Sequence, residues 1–151
     1  MQTKIIIYCD GATSNNGAAN AAGGWAYIGF TPNGDTIDGH GFIENATNNI
    51  CELTAVIRAC EHIEKLEGQK EIRSDSAYII NCYKQKWWEK WINNGWINAA
   101  KKPVANRELW ERLIPYFQRL DFEFTKVQGH SGDYYNEMAD KLAVQAKFEK
   151  K

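Results

Sequence analysis

Four acidic residues stand where the local pattern predicts the end of a strand or an early turn of a helix: Asp10, Glu52, Asp75 and Asp140. Asp10 follows an apolar run and precedes a glycine, and Asp75 follows the next short segment that is predicted to be a strand. Reactive groups in mixed α/β sheets gather at the carboxyl ends of the strands. The pattern therefore predicts that these carboxylates line one cleft.

Carboxylates within a few ångströms of one another repel, and they cannot all stay ionised without a cation. Mg²⁺ meets this need because it takes oxygen ligands, keeps several waters and prefers phosphate-bearing substrates. Two such ions about 4 Å apart activate a water and stabilise the leaving oxygen of a phosphodiester. The chemistry that this set of residues favours is magnesium-dependent hydrolysis of a nucleic acid.

Each carboxylate also has an ordinary structural interpretation when it is taken alone. Asp10 before a glycine is typical of a turn, and Asp75 before a serine is typical of a helix N-cap. Glu52 fits a solvated helix residue, and Asp140 fits an ion-pair partner of a nearby lysine. Spacing by itself leaves these alternatives open.

Hydrophobic periodicity and turn residues predict three meandering strands, followed by strands that alternate with helices. Strands are predicted over 4–10, 25–30, 36–43, 71–74 and about 120–124, and helices over about 49–66, 77–83, 106–117 and 134–147. The stretch 11–24, rich in Gly, Asn and Ala, is predicted to be a loop, as is 129–133. This order predicts a mixed sheet flanked by helices.

Composition limits the class of protein. The chain has 151 residues, of which 44% are hydrophobic and 25% charged, and its mean hydropathy is -0.54; these values are typical of one globular domain over residues 1–151. There is no apolar run of about 18 residues, and the N-terminus lacks the apolar core of a signal peptide. We therefore expect a cytoplasmic protein without a membrane segment. The four cysteines form no CxxC pair, which favours reduced thiols over zinc ligands or disulfides.

Four sequence blocks resemble a single known family. The strings YCDGAT (8–13), TNNICELTA (47–55), SDSAYIIN (74–81) and GHSGDYYNEMADKLA (129–143) occur in this order. Together they resemble ribonuclease H of the bacterial type (type 1), the endonuclease that cuts RNA in RNA/DNA hybrids, along nearly the whole chain. The resemblance implies an RNase H-like α/β fold, in which helices flank both faces of a five-stranded mixed sheet and a basic helical protrusion lies at about 84–106.

The resemblance also implies a role for each carboxylate. Asp10 bridges two Mg²⁺ ions, and Asp140 completes the site that holds the attacking water. Glu52 and Asp75 complete the other metal site. His130 matches the family's mobile loop histidine, which assists proton handling or product release. The implied enzyme is a monomer that cuts the RNA strand by two-metal-ion catalysis, leaves 5′-phosphate and 3′-hydroxyl ends, and accepts Mn²⁺ as a substitute for Mg²⁺.

Recognition of a hybrid requires contacts with ribose 2′-hydroxyls, which donate and accept hydrogen bonds and therefore suit side-chain amides. By the resemblance, Asn48 and Asn49 are minor-groove residues, and Asn16 or Asn15 in the first loop joins them. A structural alternative is that Thr47 or Asn48 caps the helix that follows. The two roles are compatible.

The segment 84–107 carries six basic residues against the single acid Glu89, in a chain whose net charge is -1. The basic residues are Lys84, Lys86, Lys90, Lys101, Lys102 and Arg107. Clustered lysines attract phosphates, and indole faces pack on deoxyribose or bases. We therefore expect Trp87 and Trp91 to line a channel for the DNA strand. Their spacing of four residues also fits the packing face of a helix.

Several more residues match family positions that contact the DNA strand. Thr47 and Asn106 match positions that hold a DNA phosphate, and Tyr78 stands near another DNA-contact position. The arginine commonly found two residues before the threonine is replaced by Asn45, and Ala99 has no hydroxyl to offer at its position. The departure at Asn45 leaves the strength of the phosphate pocket open.

Two other functions fit parts of the pattern. An integrase or a Holliday-junction resolvase uses a similar acidic site, but it would not be expected to combine the TNN segment with a Trp-rich protrusion. A hybrid-binding module without chemistry is disfavoured by the complete set of carboxylates. Preference for duplex DNA would favour the first function, and tight hybrid binding without turnover would favour the second.

Overall fold

The computed structural model describes residues 3–14, 21–128 and 134–149. Its strands are β1 (Ile5–Thr13), β2 (Ala22–Phe30), β3 (Thr36–Glu44), β4 (Lys70–Ser74) and β5 (Phe122–Lys126). Its helices are α1 (Asn48–Ile63), α2 (Ala77–Gln85), α3 (Trp87–Asn94), α4 (Arg107–Phe117) and α5 (Tyr134–Ala146). Among the described residues, no helix is both long and apolar enough to cross a membrane.

The strands form one mixed sheet in the order β3-β2-β1-β4-β5. The three N-terminal strands form an antiparallel meander, with β1 paired to β2 and β2 to β3. The strands β4 and β5 join through parallel pairs on the other side of β1. The predicted mixed sheet is confirmed, and β1 lies at its centre.

Helices cover both faces of this sheet, as predicted. Successive side chains of a strand point to opposite faces, and β1 follows this rule. Ile5 and Ile7 belong to a large core shared with residues of α1, α2, α3 and α4. Ile6 and Tyr8 belong to a smaller core shared with α5. The central strand is therefore buried on both sides.

The predicted loop over 11–24 is wrong at both ends. β1 continues to Thr13 and β2 begins at Ala22, and the two strands stay paired out to Thr13 and Gly23. Two glycines in this stretch allow close packing instead of a turn. A Cβ at Gly11 would lie 2.6 Å from Cys51 Cβ on α1, and a Cβ at Gly24 would lie 2.1 Å from the Ala143 carbonyl oxygen on α5.

Two other predicted boundaries are also wrong. Helix α1 ends at Ile63 rather than at 66, where Arg119 donates a hydrogen bond to the Glu64 carbonyl at 2.9 Å and satisfies part of the helix end. Leu120 is 98% exposed and lies outside β5. The segment predicted as a protrusion, about 84–106, contains the end of α2, all of α3 and the turn after it, and a hydrogen bond of 2.9 Å from Val104 N–H to the Trp96 carbonyl closes this turn.

Candidate active site

The parallel pairing of β1 with β4 ends immediately before two of the predicted aspartates. Its last pair is Cys9 with Ser74, and Asp10 and Asp75 come next. Asp75 follows β4, as predicted, but Asp10 does not end its strand, because β1 continues along β2. The two carboxylates still meet, because the sheet opens where the ladder between β1 and β4 stops.

Glu52 reaches the same place from α1. Thr47 caps this helix, since its hydroxyl accepts a hydrogen bond from Ile50 N–H at 3.1 Å. One turn later, Glu52 Oε1 accepts a hydrogen bond from Gly11 N–H at 3.0 Å. The same N–H donates to Asp10 Oδ1 at 2.8 Å. One backbone N–H therefore bridges two of the predicted carboxylates.

Three carboxylates form a tight group in a cleft. One oxygen from each of Asp10, Glu52 and Asp75 lies within 4.8 Å of the other two. This cleft, which we call the acidic cleft, has a volume of about 410 Å³, and Asp140 of α5 also lines it. The fold thus brings all four predicted carboxylates to one cleft, with Asp140 outside the group of three.

Burial and mutual repulsion favour protonation within this group. Burial, with the negative charge of Asp75 as the next cause, raises the pKa of Asp10 to about 7. Burial also raises the pKa of Glu52 well above its ordinary value, and the charge on Asp10 adds to the effect. In the absence of a cation, the cleft at neutral pH therefore holds carboxyl groups that are only partly ionised.

The donor set fits a divalent cation. Within the described parts of the chain, Glu52 Oε2 is buried and has no hydrogen-bond partner. A buried oxygen without a partner is costly, and a hard cation that prefers oxygen ligands would satisfy it. Asp10, Glu52 and Asp75 could hold such an ion together.

The N-cap alternative for Asp75 is wrong. The residue that caps α2 is Ser76, whose hydroxyl accepts a hydrogen bond from Ile79 N–H at 3.2 Å. Asp75 instead lines the cleft together with Ser76 and Ala77. The local sequence allowed either residue to act as the cap, and the chain path after β4 selects the serine.

Two of the three predicted RNA-contact residues line the same cleft. Asn48 and Asn49 are exposed at the start of α1, beside the carboxylates. Asn48 Oδ1 accepts a hydrogen bond from the Thr13 hydroxyl at 2.7 Å. Asn16 and the predicted loop histidine His130 lie outside the described residues.

A second cavity, which we call the aromatic groove, has a volume of about 490 Å³. The residues that line it include Tyr78, Trp87, Lys90, Trp91, Asn94 and Val104. Tyr78 lines both the groove and the acidic cleft, so the two cavities adjoin.

Trp87 and Trp91 both line the groove, but they differ in burial. Trp91 is only 8% exposed, and its ring centroid lies 5.9 Å from that of Trp96 and 5.4 Å from that of Trp110. Trp87 is only partly buried. Trp91 therefore packs in the core and also lines the groove with one edge. The alternative that these tryptophans form the packing face of a helix applies mainly to Trp91.

The residues predicted to hold a DNA phosphate have particular backbone roles. Thr47 caps α1, while Asn106 directly precedes α4 with a φ of 61°. Asn45, which stands where the resemblance leads us to expect an arginine, has a φ of 53°. Asparagine adopts this left-handed conformation more readily than most other residues. The departure at Asn45 therefore suits the local backbone.

Two contributors to the site were missed in the sequence. The Gly11 N–H was overlooked because an Asp-Gly pair usually indicates a turn, whereas here the strand continues. The Thr13 hydroxyl has no local signal, since its partner Asn48 lies 35 residues away. Both depend on the packing of α1 against β1.

Comparisons with known proteins agree with this arrangement. The RNase H family model matches residues 2–148. A ribonuclease H of Clostridium botulinum is 41% identical over 143 residues, which cover 95% of this chain and 95% of that protein. A ribonuclease H of Syntrophomonas wolfei is 42% identical over 144 residues, with 95% of each chain covered.

Solved structures share the fold. LC9-RNase H1, described as a type 1 RNase H with the type 2 active-site motif, superposes with a TM-score of 0.80 at 27% identity and covers 97% of this chain and 73% of its own. LC11-RNase H1 in complex with an RNA/DNA hybrid has a TM-score of 0.70 at 23% identity, with 94% and 95% covered. On the family match over residues 2–148 and the 41% identity along nearly the whole chain, this protein belongs to the RNase H family of nucleases.

Proposed function

We propose that this protein is an endonuclease that hydrolyses the RNA strand of RNA/DNA hybrids and leaves 5′-phosphate and 3′-hydroxyl ends. The observation that carries the proposal is the group of three carboxylates within 4.8 Å of one another, beside two exposed asparagines in the same cleft. The carboxylates suit metal-assisted phosphodiester hydrolysis, and the amides suit ribose 2′-hydroxyls. The hybrid bound to LC11-RNase H1 makes this nucleic acid the first substrate to test.

The proposed cofactor is a pair of Mg²⁺ ions, with Mn²⁺ as a substitute. Asp10, Glu52, Asp75 and Asp140, which line the cleft, would hold these ions. Glu52 Oε2 supports this assignment, because a buried oxygen without a hydrogen-bond partner is costly and a divalent cation would satisfy it. When bound, the ions supply the charge that activates the attacking water and stabilises the leaving oxygen.

The remaining groups bind, orient and transfer protons. The Gly11 N–H holds the Asp10 and Glu52 carboxylates beside each other, because it donates a hydrogen bond to each of them. Asp140 lines the cleft from α5 and is proposed to orient the attacking water. His130 is proposed to carry a proton to or from the reacting groups, or to assist product release, since the pKa of an ordinary histidine lies near neutrality.

Recognition of the two strands is proposed to be divided between the two cavities. Asn48 and Asn49 in the acidic cleft, with Asn16, would contact the RNA strand through its 2′-hydroxyls. The aromatic groove, with Tyr78, Trp87 and Trp91, would hold the DNA strand. Because Tyr78 lines both cavities, it would stand between the two strands.

Thr47 can cap a helix and bind a DNA phosphate at the same time. Its hydroxyl oxygen accepts the hydrogen bond from Ile50 N–H. A hydroxyl has one proton to donate in addition to its acceptor sites, so Thr47 can still donate to a phosphate oxygen. We propose that it does so together with Asn106.

All four cleft carboxylates come from one chain, and we therefore propose a monomeric enzyme built as one domain over residues 1–151. The four cysteines are buried free thiols, which suits the reducing cytoplasm. Light scattering of the purified protein across a concentration series should give a mass of about one chain, 17.2 kDa. A dimer mass at all concentrations would contradict the monomer.

The decisive experiment uses one labelled RNA presented in a hybrid, in double-stranded RNA and as a single strand, with a labelled DNA duplex as the fourth substrate. We expect cleavage of the hybrid only, dependent on Mg²⁺, with internal cuts and 5′-phosphate ends. Asp10→Asn should abolish cleavage, whereas Asp38→Asn on the exposed side of β3 should not. Preferential cutting of duplex DNA, or tight hybrid binding without turnover in Mg²⁺ or Mn²⁺, would overturn the proposal.

A further inference from the structure

Thr13 and Asn48 meet at the rim of the acidic cleft, although they belong to different elements. Thr13 is the last residue of β1, and Asn48 is the first residue of α1. The Thr13 hydroxyl donates to Asn48 Oδ1 at 2.7 Å, an ordinary length for a hydrogen bond between two oxygens. This contact joins the strand that carries Asp10 to the helix that carries Glu52.

The backbone holds the Thr13 hydroxyl toward α1. Residues two apart in a strand share a face, so Thr13 lies on the same face as Gly11. That face looks at α1, because a Cβ at Gly11 would contact Cys51 and Glu52. Pairing with Gly23 on β2 holds the Thr13 backbone, and the branched side chain has few rotamers. The hydroxyl is therefore presented by a rigid element.

The cap of α1 holds the backbone of Asn48, because the Thr47 hydroxyl accepts a hydrogen bond from Ile50 N–H. Its side chain lines the cleft beside Asp10 and Glu52. A side-chain amide has an oxygen that accepts and a nitrogen that donates twice, and its terminal bond allows two opposite orientations. Because Oδ1 meets the Thr13 hydroxyl, the carbonyl end of the amide is turned toward β1 and the nitrogen end away from it.

We infer, on the basis of the proposed function, that Thr13 is a positioning residue that fixes the orientation in which the Asn48 side-chain amide meets the hybrid. The groups that an amide held in this orientation recognises lie at the minor groove. Two sources share this chemistry: the 2′-hydroxyl oxygen of the RNA strand and the O2 or N3 atoms of the base edges. Thr13 itself need not touch the substrate.

The test compares Thr13→Val, which removes the hydroxyl and keeps the branched shape, with Thr13→Ser, which keeps the hydroxyl. Steady-state cleavage of a hybrid in Mg²⁺ should show KM raised about three- to tenfold in Thr13→Val, the size of one lost hydrogen bond. The value of kcat should stay within about twofold, because the contact acts in binding. Thr13→Ser should resemble the wild type, and so should Thr36→Val, a control at the exposed start of β3.

A second arm identifies the group that Asn48 recognises. Single 2′-deoxynucleotides are moved along the RNA strand, and a parallel series carries 3-deazaadenine, which lacks N3. At one position the wild type should lose affinity with one of the two substitutions, and Thr13→Val should show a smaller loss at that position. The series in which this happens shows whether the ribose or the base is recognised.

Three results would overturn the inference: an unchanged KM in Thr13→Val, equal defects in Thr13→Val and Thr13→Ser, or an undiminished penalty for the modified substrate in Thr13→Val. A merely structural role would lower the unfolding midpoint of Thr13→Val and leave its sensitivity to the substitutions unchanged. If the wild type cleaves no hybrid in Mg²⁺, the proposed function fails and the role of Thr13 falls with it. The two failures are therefore distinguishable.

Discussion

Glu52 on α1 and Gly11 on β1 are joined by a hydrogen bond of 3.0 Å from the Gly11 N–H to Glu52 Oε1, although 41 residues separate them in the chain. The same N–H also donates a hydrogen bond to Asp10 Oδ1 at 2.8 Å. Two carboxylates are therefore brought together by a main-chain donor on the rigid central strand. The close approach of the helix is what this arrangement requires, and the absence of a side chain at Gly11 permits it.

Gly11→Ala should damage both stability and activity. The added Cβ would lie 2.7 Å from the backbone of Cys51 and Glu52, so the helix itself must move. We expect a loss of about 1–3 kcal/mol in the free energy of unfolding, and a fall in kcat of roughly 100-fold, because small displacements of reacting groups are costly. Urea unfolding and single-turnover cleavage of a hybrid in Mg²⁺ measure the two effects.

The control for that substitution is Gly34→Ala. A Cβ there meets nothing within 4 Å, but the φ of +87° strains any residue with a side chain. Stability should fall by about 1–2 kcal/mol with kcat unchanged. Wild-type kcat in Gly11→Ala would contradict the positioning role of the strand backbone.

Asp10→Asn should stabilise the metal-free protein at high pH. The pKa of Asp10 is about 7 in the folded protein and about 3.9 in an unfolded chain. Between these values the folded state binds more protons than the unfolded state, so the stability of the wild type falls as pH rises from about 4 to about 7. The substitution removes this cost, which is at most about 4 kcal/mol at pH 8.

Urea unfolding in EDTA at pH 4.5 and at pH 8 tests this expectation. The advantage of Asp10→Asn should be present at the higher pH and should shrink toward the lower one. Asp38→Asn, on the exposed side of β3, serves as the matched control and should give no comparable pH-dependent gain. Equal stability differences at both pH values would contradict the burial of an ionised Asp10.

Mg²⁺ binding should strengthen with pH over the same range. The ion needs the ionised forms of Asp10 and Glu52, and the raised pKa values of both groups make protons compete with it. Affinity should therefore rise from about pH 5.5 and level off above the highest of the raised pKa values, with proton release on binding at pH 6. Titration calorimetry in two buffers of different ionisation enthalpy measures the released protons, and a pH-independent Kd with no release would refute the competition.

Trp91 and Trp87 should respond differently to replacement by alanine. Trp91 is 8% exposed and packs on Trp96 and Trp110, so Trp91→Ala should cost about 3–5 kcal/mol of stability. Trp87 is partly buried at the groove, so Trp87→Ala should cost less stability and weaken hybrid binding by roughly tenfold, through lost stacking. Thermal unfolding and hybrid titration separate the two effects.

Ile92→Ala is the control for the tryptophan pair, because Ile92 is 49% exposed on the same helix. Ile92→Ala should change neither the stability of the protein nor its affinity for the hybrid appreciably. If Trp87→Ala bound the hybrid as tightly as the wild type, the aromatic groove would not be the DNA channel.

Much of the fold was predictable because its signals are local. The apolar run before Asp10, the Asn-Gly turn between β2 and β3, and the helical spacing after Asn48 all act over a few residues. The main error, over 11–24, came from glycines that mark close packing. Nothing near Gly11 or Gly24 in the sequence indicates that a helix will lie against each of them.

By itself, the sequence determined which groups are available: four carboxylates, an asparagine pair before Glu52, and a basic, Trp-rich segment. Only the tertiary structure decided that three carboxylates lie within 4.8 Å and that Lys70 is 1% exposed against Asp121. The physical reason is the separation along the chain over which each effect acts. Caps and periodicity depend on neighbours in the chain, whereas burial, raised pKa values and the bridge from Gly11 to Glu52 depend on contacts between residues far apart in it.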